Sequence, residues 1–331
     1  MAIYLTVTFN HFRAVQRWLA ESGAQATMNP KDFTLEIKHR NRYYLFHPLF
    51  QGEIDGKFVH FSTLTDDAIR FGGWRPYRTL QHPHSTDKLL FKRYLASEAI
   101  RTPAMLTLGD GVPDFDYLLK GSVGSFGYEL AGPFRAGTPI DLTSPRFQEK
   151  GGTTFVEQFV PGKMLKVWFW GKTPFFAHAQ DFPKLVCDGS RSVERLLRER
   201  LQRAGETLET FSEMAFVKQC LAYQGVTLDA VPPEGQEYWI DYRYSRVYMR
   251  SGRTSSQSDS QLAMLQKVAG DQLSAMGEAL VKLTWQTYQF PVMLTCDAML
   301  DEHGQIWWLE MNTNSLMPPE GYAVMFGQLF A

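Results

Sequence analysis

Three oxygen-bearing side chains near the end of the chain have a spacing that suits a divalent cation. The segment 296–312 predicts two strands joined by a turn, with Asp297 on the first strand and Glu310 and Asn312 at the end of the second. Residues two apart on a strand face the same side, so Glu310 and Asn312 point together and a hairpin can place Asp297 opposite them. Two carboxylates and an amide oxygen are hard ligands suited to Mg²⁺, which often shares its coordination shell with substrate phosphates. A core hairpin with solvated acidic ends is the alternative interpretation.

A second candidate site is a glycine-rich segment that follows a short apolar run. The predicted strand 117–120 ends in Lys120 and leads into a loop that contains Gly121, Gly124 and Gly127. Glycine tolerates the conformations and the close approach that let backbone N–H groups contact phosphate oxygens. The segment lacks the Walker A pattern, and an ordinary Gly-Ser turn is the alternative interpretation.

Two further segments have the character of nucleotide contacts. Lys88 and Lys92 lie four residues apart on a predicted helix over 85–98, so they share one helix face, for which solvation is the default interpretation. The strand 156–160 precedes a Pro-Gly turn and resembles a hinge whose backbone groups could bond an adenine ring.

Arginines are concentrated in one short segment, at Arg243, Arg246, Arg250 and Arg253. A guanidinium group binds carboxylate or phosphate through two parallel hydrogen bonds. The segment is therefore a candidate for stabilising charge or for binding a substrate carboxylate. For each arginine taken singly, a surface ion pair is the alternative interpretation.

The composition argues against several classes of protein. The chain has 331 residues, a hydrophobic fraction of 44%, a charged fraction of 21% and a net charge of −1. These values predict a globular protein with two or three lobes and no strong attraction to nucleic acid or anionic membranes. Three well-separated cysteines without CxxC spacing argue against zinc and a disulfide framework. The first residues lack a signal-peptide pattern, and no apolar run approaches the roughly 20 residues of a membrane span, so we expect a cytoplasmic protein.

The hydropathy pattern predicts an α/β protein built from α+β lobes. In the first lobe, residues 1–84, we expect a strand over 1–9, a helix from Asn10 to Ser22, and a hairpin turn at 55–56. The other predicted elements are strands over 33–37, 42–46, 57–61, 117–120, 154–160, 166–170 and 174–180, and helices over 85–98, 192–224 and 261–288.

In this order, the segments resemble the ATP-grasp superfamily of carboxylate–amine ligases, in the branch of cyanophycin synthetase, the bifunctional glutathione synthetases and D-alanine–D-alanine ligase. The resemblance covers about residues 85–320, and its two ends match more specifically than its middle. The matching segments are 85–92 with the phrase 99–103, Lys120 with the loop 121–127, the hinge 156–162, the phrase 187–197, and Asp297, Glu310 and Asn312 with the family's 13-residue gap from Asp to Glu.

The resemblance implies an ATP-grasp fold, in which a nucleotide lies between two α+β lobes at 85–165 and 166–331. The second lobe would carry a helical insertion at about 190–235, and the first 84 residues would form a small α+β lobe. ATP and Mg²⁺ are the implied cofactors, with Asp297, Glu310 and Asn312 as metal ligands. The residues implied in nucleotide binding are Lys88, Lys92, Lys120, Ser125, Phe126, Gly127, Glu157, Gln158, Phe159, Val160 and Lys166. The candidate catalytic residues are Arg243, Arg246, Arg250 and Arg253.

The implied activity is that of an ADP-forming ligase that makes an amide bond through an acylphosphate, as in peptide or natural-product tailoring. Its partners would be small-molecule or peptide carboxylates and amines, with a homodimer as a candidate assembly, and residues 1–84 and the insertion would shape substrate choice. The sequence departs from the family at Met164, where an acidic residue usually contacts the ribose, and at Gly121, which replaces a proline. The alternatives are a small-molecule kinase on the same scaffold and a non-catalytic ATP-binding module, which Met164 favours.

Overall fold

The computed structural model describes residues 2–54, 57–124, 130–140, 152–243 and 260–331. Helices alternate with antiparallel sheets, which confirms the predicted α/β class built from α+β units. In chain order the elements are α1 (Ala2–Ser22), β1 (Gln25–Met28), β2 (Leu35–His39), β3 (Arg42–Ile54), β4 (Lys57–Phe61), β5 (Ala68–Arg75), α2 (Pro83–Thr86), α3 (Lys88–Ser97), β6 (Met105–Thr107), β7 (Tyr117–Gly121), β8 (Leu130–Phe134), β9 (Thr154–Gln158), β10 (Lys163–Trp170), β11 (Thr173–Gln180), β12 (Lys184–Val186), α4 (Val193–Arg203), α5 (Met214–Tyr223), β13 (Glu237–Trp239), α6 (Leu262–Tyr288), β14 (Met293–Leu300), β15 (Ile306–Asn312) and α7 (Gly321–Leu329).

Three antiparallel sheets carry most of these strands. The first sheet runs β1-β2-β3-β4, with β5 also paired to β3. The second sheet has the order β6-β9-β7-β8, and the third has the order β11-β10-β14-β15. A short ribbon of β12 and β13 accompanies helices α4 and α5, so the predicted helical segment 192–224 consists of two helices.

The start of the chain differs from the sequence-based expectation. The predicted strand over 1–9 is wrong, because helix α1 begins at Ala2; it ends at Ser22, as predicted. His11 and Trp18 of this helix contact aromatic rings of β5 and α7. Packing of this helical face therefore outweighs the strand preference of the β-branched and aromatic residues at the start.

The helix predicted over 85–98 is divided at Asp87 into α2 and α3. The backbone of Asp87 is extended (φ −112°, ψ 112°), and its carboxylate accepts a hydrogen bond from the N–H of Leu89 at 2.8 Å. Asp87 is therefore the N-cap of α3. The cap fixes the start of the helix that carries both Lys88 and Lys92.

One buried apolar core joins the first sheet to the third sheet. Trp74 on β5, Trp170 on β10 and Trp308 on β15 are at most 1% exposed and belong to the same cluster, together with residues of α6 and α7. The first 84 residues therefore share their core with the C-terminal part of the chain.

The loop that follows β15 is fastened to the first region. The guanidinium group of Arg75, a residue only 2% exposed, donates to the carbonyl oxygens of Thr313, at 3.3 Å, and Ser315. The side chain of Asn314 accepts from the N–H of Leu80 at 3.0 Å and donates to the carbonyl oxygen of Leu80 at 2.7 Å. Because this loop directly follows the last predicted metal ligand, the first region fixes the chain at that point.

Candidate functional site

The oxygen-bearing side chains predicted from the sequence meet on one face of the hairpin β14–β15. Asp297 lies opposite Glu310 in the strand register, and the side-chain amide of Asn312 donates to Asp297 Oδ2 at 3.1 Å. A β-bulge shifts the register after Asp297, so that Leu309 is the extra residue between two paired positions. The bulge keeps Glu310 opposite Asp297 while Trp308 remains in the core.

Two lysines neutralise this acidic face. Lys166 on β10 lies opposite Asp297, with Nζ at 2.6 and 2.9 Å from the two carboxylate oxygens. Lys88 Nζ lies 3.7 Å from Glu310 Oε2 and donates to the carbonyl oxygen of Gly124 at 2.6 Å. Burial raises the pKa of Asp297 against the attraction of Lys166, and the Glu310 carboxylate adds to the rise. Negative charge is crowded here, which a cation would relieve.

The donor set of this face includes an amide oxygen as well as carboxylates. Within the ranges that the structure describes, no three His, Cys, Asp or Glu side chains are grouped as metal ligands would be. An ion at this face would therefore depend on Asn312 in addition to Asp297 and Glu310. Such a set of oxygens suits Mg²⁺ and not the softer metals that histidine and cysteine bind.

A second charged cluster consists of a glutamate held between two lysines. Lys92 Nζ lies 2.6 Å from Glu157 Oε2, and Lys120 Nζ contacts Glu157 Oε1. The side chains of Lys92 and Glu157 are 0% and 1% exposed, whereas that of Lys120 is 16% exposed. Burial alone would raise the pKa of Glu157, but the two ammonium groups outweigh it and lower that pKa. Burial lowers the pKa of Lys92, although Glu157 opposes this shift.

A threonine connects the two charged clusters. Lys92 Nζ donates to Thr102 Oγ1 at 3.1 Å, and this hydroxyl donates to the carbonyl oxygen of Trp308 at 2.9 Å. The N–H of Trp308 donates back to the carbonyl oxygen of Arg101 at 3.1 Å. Glu310, two residues further along β15, is close enough to act electrostatically on Lys92. Lys92 of α3, its neighbour Lys120 of β7 and the acidic face of the third sheet therefore lie close together.

The predicted hinge is tied to both its neighbouring strands and the insertion. The N–H of Gln158 donates to the carbonyl oxygen of Ala104 at 2.9 Å, and the N–H of Phe159 donates to the carbonyl oxygen of Asp116 at 2.7 Å. Val160 is 8% exposed. Adenine recognition by these residues stays a prediction. The ring of Phe159 packs against three rings from the insertion and the segment after it, at centroid distances of 5.3 to 5.8 Å: Tyr223, Trp239 and Tyr242.

The segment after the hinge requires a glycine and buries the residue that departs from the family. Gly162 has φ +155°, and a Cβ there would lie 2.2 Å from the carbonyl oxygen of Leu300. Met164 is 2% exposed and packs in an apolar cluster with Met299, so it belongs to the core of this region. Gln180 lies opposite Met164 on β11, and its carboxamide oxygen is buried with no hydrogen-bond partner among the described residues.

The guanidinium group of Arg243 is held by ion pairs within the fold. It pairs with Asp241 (Nη2–Oδ2 2.7 Å) and Glu213 (Nη1–Oε2 3.1 Å), and it lies 3.7 Å from the ring centroid of Phe216. This arrangement anchors α5 and argues against the predicted catalytic role of Arg243. The other predictions in this region and in the glycine loop fall outside the described residues: Arg246, Arg250, Arg253, Ser125, Phe126 and Gly127.

Two side chains complete the site in ways that sequence reasoning missed. The resemblance placed Glu157 in the adenine hinge through its backbone, and the sequence reasoning gave no role to its side chain, which binds two lysines. A lone carboxylate within an apolar strand predicts a buried counter-ion, so the signal was present in the sequence. Thr102 lies in the matched phrase 99–103, and its spacing gave no indication of a bridging hydroxyl.

Comparisons with known proteins add similarity in fold. No protein-family model matches the chain, and no curated protein matches it either. Similar solved structures include a bifunctional glutathione synthetase from Pasteurella multocida (14% identity, TM-score 0.41, covering 97% of this chain and 43% of that one). A second is a D-alanine–D-alanine ligase from Bacillus anthracis (14% identity, TM-score 0.37, covering 74% of this chain and 64% of that one). A third is an L-amino acid ligase from Bacillus licheniformis (10% identity, TM-score 0.34, covering 70% of this chain and 41% of that one).

The chain spans less than half the length of the glutathione synthetase and of the L-amino acid ligase. Two of the enzyme types that the sequence motifs resemble, glutathione synthetase and D-alanine–D-alanine ligase, are among these structures. At TM-scores below 0.5, the likeness carries no functional conclusion by itself. None of the helices in the described ranges is long and apolar enough to cross a membrane.

Proposed function

We propose that the chain is an ATP-grasp ligase that uses ATP to join a carboxylate to an amine. The observation that supports this function best is the pair of charged clusters connected through Thr102, with an excess of ammonium groups around Glu157 and oxygen ligands around Asp297. A polyphosphate with a divalent cation suits these two clusters, because ammonium groups neutralise phosphate oxygens and carboxylates bind the cation. The order of the matching motifs along the chain agrees with this proposal.

The acidic face fits Mg²⁺ by its donor chemistry and its electrostatics. Asp297, Glu310 and Asn312 would hold the ion, which supplies positive charge to the phosphates when bound. Burial raises the pKa of Asp297 and the Glu310 carboxylate adds to the rise, so a bound cation would stabilise the charged form of this carboxylate. A cation at Asp297 would free Lys166 for a phosphate oxygen.

Apolar residues offer a place for the nucleoside. Leu118, Val160, Met164 and Met299 form one cluster between the second and third sheets, and Leu309 packs against it. Leu309 directly precedes Glu310, so this cluster adjoins the acidic face of the hairpin β14–β15. An aromatic base on this side would leave its phosphates near the lysines and the acidic face.

The proposed reaction has two steps. An oxygen of the substrate carboxylate attacks the γ-phosphorus of ATP, the bond to the β,γ-bridging oxygen breaks, and ADP and an acylphosphate form. The amine nitrogen then attacks the acyl carbon, loses a proton, and phosphate leaves with the electrons of the C–O bond. Phosphoryl transfer depends chiefly on positioning and charge neutralisation, which Lys92, Lys120 and the acidic face would supply.

We assign substrate choice to the first region, residues 1–84, which shares its core with the third sheet and holds the loop after β15. Small carboxylates such as amino acids or peptides, and amines of the same class, are the proposed substrates. The insertion contacts Phe159, so we expect it to influence nucleotide binding as well as substrate choice.

The test is release of ADP and phosphate from Mg-ATP with pairs of amino acids and dipeptides, together with mass spectrometry of the product. Glu310→Ala removes a predicted metal ligand. Glu302→Ala, at an 87% exposed position in the turn of the same hairpin, is the matched control. We expect release that requires both substrates, a product with the mass of the pair less one water, and loss of both in Glu310→Ala alone.

Each other outcome favours a different function. Release of ADP with one substrate, and a product that keeps the phosphate, would indicate a kinase. Binding of Mg-ATP without turnover over a wide panel would favour a binding module. Full activity of Glu310→Ala would refute the proposed metal site.

A further inference from the structure

We propose that Glu157 is a positioning residue that holds Lys92 and Lys120 for an anionic ligand and does not contact the nucleotide base. The inference rests on the proposed nucleotide binding. It concerns the side chain of Glu157, whereas the adenine contact implied by the resemblance would come from backbone groups of the hinge.

Three elements bring the groups together. Glu157 lies on the central strand β9 and Lys120 on the adjacent β7, whereas Lys92 projects from α3. Each carboxylate oxygen meets one ammonium group: Oε2 meets Lys92 at 2.6 Å, and Oε1 meets Lys120. The two lysines therefore share one carboxylate, and the shared contact fixes their separation.

Burial gives this contact its importance. Lys92 and Glu157 are almost fully enclosed, so no water would replace the carboxylate if it were removed. Two ammonium groups without it would repel each other, and the enclosed one would be an uncompensated charge. Lys120, at 16% exposure, is the more accessible of the two lysines to a ligand.

The same geometry leaves the side chain of Glu157 little freedom to reach a base. Both of its oxygens are engaged, and its backbone lies on a strand paired on both sides, with Met105 of β6 and Leu118 of β7. A phosphate chain, by contrast, can approach the excess positive charge from the side of Lys120. The expected specificity is therefore for the phosphates and not for the base.

Binding of Mg-ADP and of adenosine by calorimetry separates these roles. For Glu157→Gln we expect affinity for Mg-ADP to fall by about 10- to 100-fold, since the negative charge that both lysines share is removed and the amide NH₂ of glutamine cannot accept a hydrogen bond from either of them. Adenosine should bind as in the wild type. The matched control is Glu278→Gln, which breaks a comparable contact of 2.9 Å with Lys172 at the surface and should leave both affinities unchanged.

A pH series distinguishes positioning of charge from general support of the fold. In Glu157→Gln, Lys92 faces Lys120 on β7, Glu310 on β15 and the Thr102 hydroxyl, without its nearest carboxylate. Its pKa falls further, so affinity for Mg-ADP should decrease with rising pH more steeply than in the wild type. A purely structural defect would weaken binding equally at each pH.

A double variant covers the case in which Glu157→Gln does not fold. Lys92→Met leaves the buried carboxylate to neutralise Lys120 alone, whereas Lys92→Met with Glu157→Gln removes the buried pair together. We expect the double variant to bind Mg-ADP more tightly than Lys92→Met does. Equal or weaker binding by the double variant would overturn the proposal.

The remaining outcomes separate this proposal from that of the ligase. Unchanged Mg-ADP affinity in Glu157→Gln, or an equal loss of adenosine binding, would overturn the role of Glu157. A wild-type protein that binds Mg-ADP but forms no amide would refute the ligase and leave this role intact. A wild-type protein that binds no Mg-ADP would overturn both.

Discussion

Replacing Thr102 by valine removes the hydroxyl that connects the two charged clusters and keeps nearly the same volume. In the structure this hydroxyl accepts from Lys92 Nζ at 3.1 Å and donates to the carbonyl oxygen of Trp308 at 2.9 Å. The variant therefore leaves an enclosed ammonium group without one of its partners and a strand carbonyl without its donor. Neither deficit is easily repaired, because the side chain of Lys92 is 0% exposed.

The expected cost follows from these two contacts. A hydrogen bond to a charged group contributes about 1.5–3 kcal/mol and a neutral one about 1 kcal/mol. Because partial relaxation recovers some of this, we expect Thr102→Val to lower the free energy of unfolding by about 2–4 kcal/mol. With an m-value for urea near the upper end of the usual range, the urea concentration at the unfolding midpoint should fall by about 1 M.

Urea unfolding followed by tryptophan fluorescence measures this loss, with Thr102→Ser as the matched control. Serine keeps the hydroxyl and loses one methyl group, which should cost about 1 kcal/mol. A midpoint for Thr102→Val equal to that of the wild type would refute the reasoning. So would a loss in Thr102→Ser as large as that in Thr102→Val, because the hydroxyl would then contribute nothing.

Three further predictions concern buried residues that stabilise the fold. Phe159→Ala should lower the free energy of unfolding by about 3–5 kcal/mol, because its ring is buried in an aromatic cluster, and urea unfolding against Phe159→Leu checks this. Burial, and then the charge of a nearby arginine, lowers the pKa of His11 to about 3, so the unfolded chain binds the proton first and the free energy of unfolding should fall as pH drops from about 6.5 toward 3. In His11→Gln the free energy of unfolding should depend less steeply on pH across that range, and an unchanged pH dependence would contradict this. Arg243→Leu should destabilise the insertion by about 3–5 kcal/mol, because Asp241 and Glu213 each lose an ion pair, and protease cleavage within the insertion should accelerate relative to the wild type.

The acidic hairpin could be predicted because its geometry is local. Strand alternation places Glu310 and Asn312 on one face, and a short turn brings Asp297 opposite them, so no information about distant segments is needed. The bulge that leaves Leu309 unpaired has no comparable signal in the sequence, and it decides which residue stands opposite Asp297.

Contacts between distant segments could not be read in the same way. Lys92 and Glu157 come from separate elements, and their pairing depends on how α3, which packs on β15 of the third sheet, meets β9 of the second sheet. The segment 1–9 was predicted wrongly for a related reason: its residues favour a strand locally, but helix α1 gains its stability from packing on β5 and α7. An ion pair was the alternative interpretation of Arg243, and the arginine cluster alone did not indicate its partners Asp241 and Glu213.

The fastening of the loop after β15 limits how this protein can be recombined. Arg75 and Leu80 hold Thr313 and Asn314 in place, so the end of the first region meets the chain where the oxygen ligands end. A chimera that exchanges only the first 84 residues would separate an arginine from the carbonyl groups that satisfy it. Segments 72–80 and 313–317 should therefore be exchanged as one unit in any attempt to transplant a new substrate preference into this scaffold.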